Sequence, residues 1–144
     1  MSNLLAAVGR GQLQSLNNYV SKRRDIYKRY YDALSFVAGI EFMQEASYGK
    51  SSRWLTTLTI DNKKTGINRN QIIEALEKEN IECRPVWKPM HLQPLYKGYE
   101  YVKAGDEDIS AKLFQNGLCL PSGSSLSEGD QDRIIDIILS LLQY

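Results

Sequence analysis

One short stretch concentrates the side chains able to recognise a charged ligand. Residues 81–96 read IECRPVWKPMHLQPLY and hold Arg84, Trp87, Lys88 and the single histidine of the chain, His91. A guanidinium offers an anion a bidentate fork, and an ammonium offers a point charge. With neutral His91 as a hydrogen-bond donor and Trp87 as an apolar wall, the set suits a phosphate or diphosphate. Arg84, Lys88 and His91 are therefore the candidate substrate-binding residues. Pro85, Pro89 and Pro94 fix φ and remove backbone donors, so the stretch is neither a helix nor a central strand. The competing reading is structural, because a lone histidine in a proline-rich loop more often packs than acts. No catalytic residue is expected. Ser124 and Ser125 lack a second histidine to activate them, and Glu107-Asp108 reads as charge at a helix start. One histidine without a CxxC pattern offers no metal site. The chemistry is that of a binding half-site.

The totals exclude several classes of partner. The chain has 144 residues and a formal net charge of +1 with 24% charged residues. That balance gives no reason to expect nucleic acid or a membrane surface. The C-terminal apolar run, 134–142, is interrupted by Asp136 and Ser140 and falls short of the roughly 20 apolar residues that span a bilayer. Cys83 and Cys119 sit in apolar strand-like runs and read as reduced core thiols of a cytoplasmic protein.

The elements that position the candidate residues follow from periodicity and capping. Residues 2–34 read as one helix, capped by Ser2 or Asn3 and ended by Gly39, with apolar residues near a 3.6-residue period. Its cations, Lys22-Arg23-Arg24 and Lys28-Arg29, read as a solvated face. Residues 40–46 form a short strand, and WLTTLTI at 54–60 a strong one. Residues 61–66 read as a polar loop. Asn68 caps a helix to about residue 80, with Gln71 in capping-box position. Residues 81–84 form the next strand, joined to 54–60 by a βαβ-like step, although antiparallel pairing fits equally. Residues 95–102 read as a short helix or turn packed on the sheet. A helix over 106–116, a buried strand over 118–120 and a Ser127-capped helix over 128–142 complete the chain. The expected fold class is α/β (α+β): a two-layer sandwich with a long N-terminal helix and a small three- to four-stranded sheet carrying helices on one face. Its expected divisions are the helical segment 1–38 and a small α/β domain over 39–144.

The first helix is too long for this globule. About 33 residues rising about 1.5 Å each give about 50 Å, against a domain diameter near 40 Å, since the expected radius of gyration is about 15 Å. Leu4, Leu5 and Val8 make its first turns apolar, and Gly9 and Gly11 follow. Either this end overhangs to pack on another body, or the helix breaks at Gly9–Gly11 and folds back.

Three blocks, MSNLLAAVGRGQL, ECRPVWKPMHLQPLY and GLCLPSGSSLSEGDQDRII, occur in an order and spacing that resemble the C-terminal half of the DegT/DnrJ/EryC1/StrS sugar aminotransferases. These are pyridoxal-phosphate enzymes of aspartate-aminotransferase fold, which aminate the keto-sugar of a nucleotide-linked sugar for surface polysaccharides and deoxyamino sugars. The resemblance implies the small domain of that fold plus the long inter-domain helix. It implies that Arg84, Lys88 and His91 stand at the active-site rim, near the nucleotide-sugar phosphates or the substrate entrance. It also implies that the Schiff-base lysine and most of the cofactor cup belong to a large domain with no counterpart here, so pyridoxal phosphate is expected in the intact family and no cofactor in this chain alone. On that reading the chain is a fragment, inactive by itself, whose partners are the large domain or a full-length homologue, and which self-associates through its first helix. The alternative is a stand-alone nucleotide-sugar-binding or regulatory module.

Overall fold

The computed structural model describes residues 2–143. Helix α1 runs unbroken from Asn3 to Leu34, with the Ser2 hydroxyl accepting from the Leu5 amide at 3.3 Å. Gly9 and Gly11 lie inside it in open space, so the helix does not fold back. It ends at Ser35, before Gly39. Gly39 instead takes φ 98° at the entry to the first strand, where a Cβ would sit 2.8 Å from Lys64 Cβ; only glycine fits that left-handed turn and that approach.

Four strands follow: β1 (Ile40–Phe42), β2 (Thr56–Ile60), β3 (Arg84–Pro85) and β4 (Gly117–Leu120). They form one sheet in the order β1-β2-β4-β3, antiparallel throughout. The βαβ-like step is therefore overturned. Helix α3 (Arg69–Lys78) carries the chain past β2 to the far edge, where Arg84 pairs with Cys119 and Pro85 with Leu118. β3 is shorter than expected because proline donates nothing to a ladder and is confined to such edges. β1 stops at Phe42 rather than near residue 46, since the Met43 carbonyl accepts from the Arg53 guanidinium at 2.8 Å. The expected loop at 61–66 contains a single helical turn, α2 (Asn62–Thr65), capped by the Asp61 side chain and closed by left-handed Gly66. In α3 the Asn68–Gln71 capping box is present in full. Helix α4 (Ile109–Asn116) begins later than expected, with Asp108 as its N-cap, and α5 (Glu128–Leu141) is capped by Ser127.

The core lies on one face of the sheet. Leu58, Ile60, Leu118 and Leu120 meet Tyr30 and Leu34 of α1, Ile72 and Leu76 of α3, and Ile134 and Ile138 of α5. Burying a side chain of this size contributes about 1.5–3 kcal/mol. Three polar contacts join α5 to α1: buried Gln131 donates to the Ile26 carbonyl at 2.7 Å, Arg29 holds both carboxylate oxygens of Asp132 at 2.7 Å, and Arg29 pairs with Glu128 at 3.4 Å. The cations of α1 are thus not simply solvated. Arg23 donates to the Trp54 carbonyl, and Arg24 donates to the Ser51 carbonyl and pairs with Glu45, so the helix clamps the loop between β1 and β2. Arg53, 6% exposed, adds a bond to Glu45 and lies 3.7 Å over the Tyr27 ring.

Helix α4 contributes nothing to this core. It borders the opposite face, where Phe114 and Cys119 line a common groove. Both cysteines are free and buried; burial pushes the Cys83 thiol up to about 12, and its sulfur donates to the Cys119 carbonyl. Residues 95–102 do not pack on the sheet: Leu95, Tyr99 and Val102 are exposed. Among the described residues no helix is long and apolar enough to cross a membrane.

The overhang of α1 is present. Its 32 residues rise to about 48 Å, yet its buried residues are only Ile26, Tyr30 and Leu34, all in the last three turns. Upstream, Leu4 is 75%, Leu5 60%, Val8 54% and Leu13 69% exposed.

Candidate functional site

The face of the sheet opposite the core carries a groove of about 590 Å³. Strand alternation explains its floor. Leu118 and Leu120 point into the core, so Cys119 points the other way, and its cross-strand partner Arg84 shares that face. The groove is lined by Arg84, Trp87, Lys88, Val86, Phe114 and Ser122, among others. Trp87 and Trp54 stand side by side, centroids 6.1 Å apart, and are 67% and 61% exposed. The two neighbouring indoles together form an exposed apolar patch beside the groove.

The carbonyl of Gly117, at the end of the groove wall, accepts from Arg69 at 3.2 Å and from the Val86 amide at 3.2 Å. Arg69 also lies over the Phe114 ring at 4.6 Å, and burial lowers its pKa. These contacts fix α4, β4 and the start of the proline-rich loop as one unit. Ser122 finishes β4 by accepting from the Thr56 amide and donating to the Leu120 carbonyl, both at 2.8 Å.

The three residues expected at the site do not converge. Arg84 and Lys88 line the groove together. Arg84 is exposed and leans on Glu82, two residues earlier in the chain and just before β3. Its fork is thereby partly engaged, by a surface pair of the kind worth about 1 kcal/mol or less. The Lys88 side chain is exposed and has no ion-pair partner among the described residues. His91 does not line the groove. It sits in a one-turn 3-10 helix, Met90–Leu92, directed at α4.

There His91 Nε2 lies 2.7 Å from Asp108 Oδ2. The ring stacks on Tyr101, centroids 3.7 Å apart and planes within 7°. The other oxygen of Asp108 accepts from the Ala111 amide at 2.9 Å, from the Ser110 hydroxyl at 2.9 Å and from the Tyr101 hydroxyl at 3.2 Å. These bonds, the Ala111 amide first, hold the Asp108 carboxyl down to about 2. An ionised carboxylate only accepts, so the proton between the two side chains sits on Nε2. The expectation of neutral His91 donating to a phosphate is corrected here, because its single N–H is spent on Asp108.

Asp108, Tyr101 and Ser110 were not legible as site residues. By sequence Asp108 reads as charge at a helix start, and in the structure it is the N-cap of α4, but nothing local connects it to a histidine 17 positions away. Among the described residues no cluster of histidine, cysteine or carboxylate side chains suits a metal.

The chain is similar to known proteins over nearly its whole length. Residues 1–139 match the model of the DegT/DnrJ/EryC1/StrS aminotransferase family. EpsN of Bacillus subtilis (strain 168), which carries the name of a pyridoxal phosphate-dependent aminotransferase, is 46% identical over 142 residues, covering 98% of this chain and 36% of EpsN. GDP-perosamine synthase of Caulobacter vibrioides is 29% identical, covering 94% of this chain and 36% of that protein. Among solved structures, a DegT DnrJ EryC1 StrS aminotransferase from Brucella abortus superposes with a TM-score of 0.77 at 29% identity, covering 93% of this chain and 34% of that one. DesI, solved in the presence of its TDP-sugar product, has a TM-score of 0.85 at 24% identity, which shows the shared fold. The chain thus spans about 36% of the length of the curated relatives it matches.

Proposed function

The chain belongs to the DegT/DnrJ/EryC1/StrS aminotransferase family, and on that premise we propose that it forms the small-domain part of a pyridoxal-phosphate-dependent aminotransferase acting on nucleotide-linked keto-sugars. The observation that carries the reading is the groove in which Arg84, Lys88 and Trp87 meet under the family match. The diphosphate of a nucleotide-sugar supplies the anion for the two cations, and its base supplies a planar face for an indole. A cytoplasmic location is part of this proposal.

The residues present do not build a pyridoxal-phosphate site by themselves. Every lysine of the chain is exposed, whereas a Schiff-base lysine is activated by desolvation or by a neighbouring cation. No amino-transfer step is therefore routed through these residues. Their part is to bind and orient the sugar donor, while the cofactor is held by the portion of such enzymes that lies outside the matched third. The exposed stripe of α1, from Leu4 to Leu16, fits the surface which that portion covers.

Two measurements test the reading. Of the two tryptophans of the chain, Trp87 lines the groove and Trp54 stands beside it, so their fluorescence reports ligand in the groove. A nucleoside-diphosphate hexose is expected to quench it at up to millimolar concentration, and Arg84→Ala with Lys88→Ala to weaken the quench at least tenfold. Quenching indifferent to both substitutions would overturn the assignment of the groove. Pyridoxal phosphate added to the chain is expected to give no stoichiometric, borohydride-reducible imine. A band at one equivalent would refute the division of labour. Tight ligand binding by the chain as it stands would favour the stand-alone binding module.

A further inference from the structure

We infer that Asp108 is a positioning residue for His91, fixing its ring as the Nε2–H tautomer so that Nδ1 faces outward as a hydrogen-bond acceptor for a hydroxyl or N–H of the bound sugar. The tautomer follows from the structure of the chain alone. The assignment of the acceptor to a sugar hydroxyl rests on the function proposed above.

The geometry leaves the ring little freedom. Asp108 Oδ2 takes the Nε2 proton at 2.7 Å, and Tyr101 holds the plane by stacking at 3.7 Å. The carboxylate cannot swing away. Its other oxygen is tied to the backbone of α4 at Ala111 and to the hydroxyls of Ser110 and Tyr101. Tyr101 thus meets both partners, with its face on the imidazole and its hydroxyl on the carboxylate. The Tyr101 and Ser110 hydroxyls also lie 3.1 Å apart, closing a network around one anion. Such a carboxylate–imidazole pair sets which ring nitrogen is protonated, and so what the other can do.

That other nitrogen is available. His91 Nδ1 makes no hydrogen bond to any described residue, and it is absent from the buried side-chain atoms left without a partner, so it reaches solvent. In the neutral ring it carries a lone pair and no proton. Phosphate oxygens offer it nothing, whereas sugar hydroxyls, amino groups and water do. The ligand is therefore divided between two stations. Arg84 and Lys88, in the groove, suit the diphosphate. His91, outside the groove and beside α4, suits the part of the ligand that bears donors. The separation of His91 from the two cations then has a chemical reason.

Because His91 is the only histidine, its two ring nitrogens give the only imidazole signals in a long-range ¹H–¹⁵N spectrum of the labelled chain. Recorded through a pH titration, the neutral limb is expected to show a protonated, pyrrole-type Nε2 and a bare, pyridine-type Nδ1. A neutral ring that is protonated on Nδ1, or an even mixture, would overturn the inference. Asp108→Asn keeps a good helix cap, since Asn and Asp serve equally at that position, and removes the obligate acceptor. It is expected to yield a mixed tautomer. Tyr101→Phe keeps the stack and is expected to leave the tautomer unchanged. An Asp108→Asn spectrum identical to wild type would refute the positioning role. Adding a nucleoside-diphosphate hexose should move the Nδ1 signal upfield, and the same nucleoside diphosphate without the sugar should not. A pure Nε2–H tautomer with an Nδ1 signal that neither ligand moves would sustain the role of Asp108 and defeat the ligand assignment. Equal movement with both ligands would defeat the assignment to the sugar.

Discussion

Gly117 is the position where one added methyl group should do most harm. It opens β4, and its φ of −89° and ψ of 142° suit any residue, so the cost of a side chain there is steric and not conformational. An alanine Cβ would lie 2.5 Å from the Leu113 carbonyl oxygen and 2.9 and 3.0 Å from the two Val86 methyls. The carbonyl belongs to the last turn of α4 and cannot rotate aside as a side chain would. The Gly117 carbonyl is at the same time held by Arg69 and by the Val86 amide. Either α4 or the β3–β4 pairing must shift, and overpacking of this kind costs about 1–3 kcal/mol. Gly117→Ala is therefore expected to lower the urea-unfolding free energy by about 1–3 kcal/mol, or Tm by roughly 3–10 °C. Because Leu118 pairs with Pro85, the shift reaches Arg84 and should also weaken fluorescence quenching by a nucleoside-diphosphate hexose. Gly129→Ala supplies the opposite sign. Gly129 lies in α5 with nothing within 4 Å of its Cβ position, and alanine there should gain about 0.5 kcal/mol. A Gly117→Ala protein within about 0.5 kcal/mol of wild type, at unchanged m-value, would refute the reasoning. So would equal destabilisation by the two substitutions.

Other consequences can be checked more briefly. Asp108 should shape acid stability. Its folded carboxyl is held down to about 2 against an ordinary 3.8, so its contribution is complete above the ordinary value and is lost as pH falls through about 2. The gap in urea midpoint between wild type and Asp108→Asn should therefore narrow between pH 5 and pH 2; a constant gap would contradict the network drawn around that carboxylate. Tyr30 is fully buried and donates to the Pro121 carbonyl at 3.1 Å. Tyr30→Phe should cost about 0.5–1.5 kcal/mol in chemical denaturation, and no measurable change would mean that the bond contributes nothing. The exposed stripe of α1 should drive self-association of the 144-residue chain. Sedimentation should show concentration-dependent dimers or larger species that vanish in Leu5→Glu/Val8→Glu, with thermal stability intact because neither residue touches the core. A strictly monomeric profile of the wild type at high concentration would defeat that expectation.

Local features were readable with little loss. The Asn68–Gln71 capping box, the Ser127 cap of α5 and the uninterrupted α1 are all present. The three sequence blocks that resemble the sugar aminotransferases lie within the span that the family model matches. The boundaries of β1 and β3 were less legible. Their ends are set by partners far along the chain: the Arg53 guanidinium takes the Met43 carbonyl, and the Cys119 strand receives Arg84. The cations of α1 were read as a solvated face for the same reason, since the carbonyls of Ser51 and Trp54 that they hold lie 27 and 31 residues downstream.

By itself the sequence determined the character of each segment. Caps, apolar periodicity and prolines act within three or four residues, through backbone hydrogen bonds and sterics that need no distant partner. It also determined that residues 81–96 gather Arg84, Trp87, Lys88 and His91, the side chains proposed for recognition, because that follows from residue type. Tertiary structure decided how that chemistry is shared out. An antiparallel β3–β4 edge turns Arg84 away from the core into a groove with Lys88 and Trp87. The cap of α4 takes the one proton that neutral His91 has to give. Both outcomes depend on which surfaces meet once the apolar face of the sheet is buried, and no spacing along the chain records that.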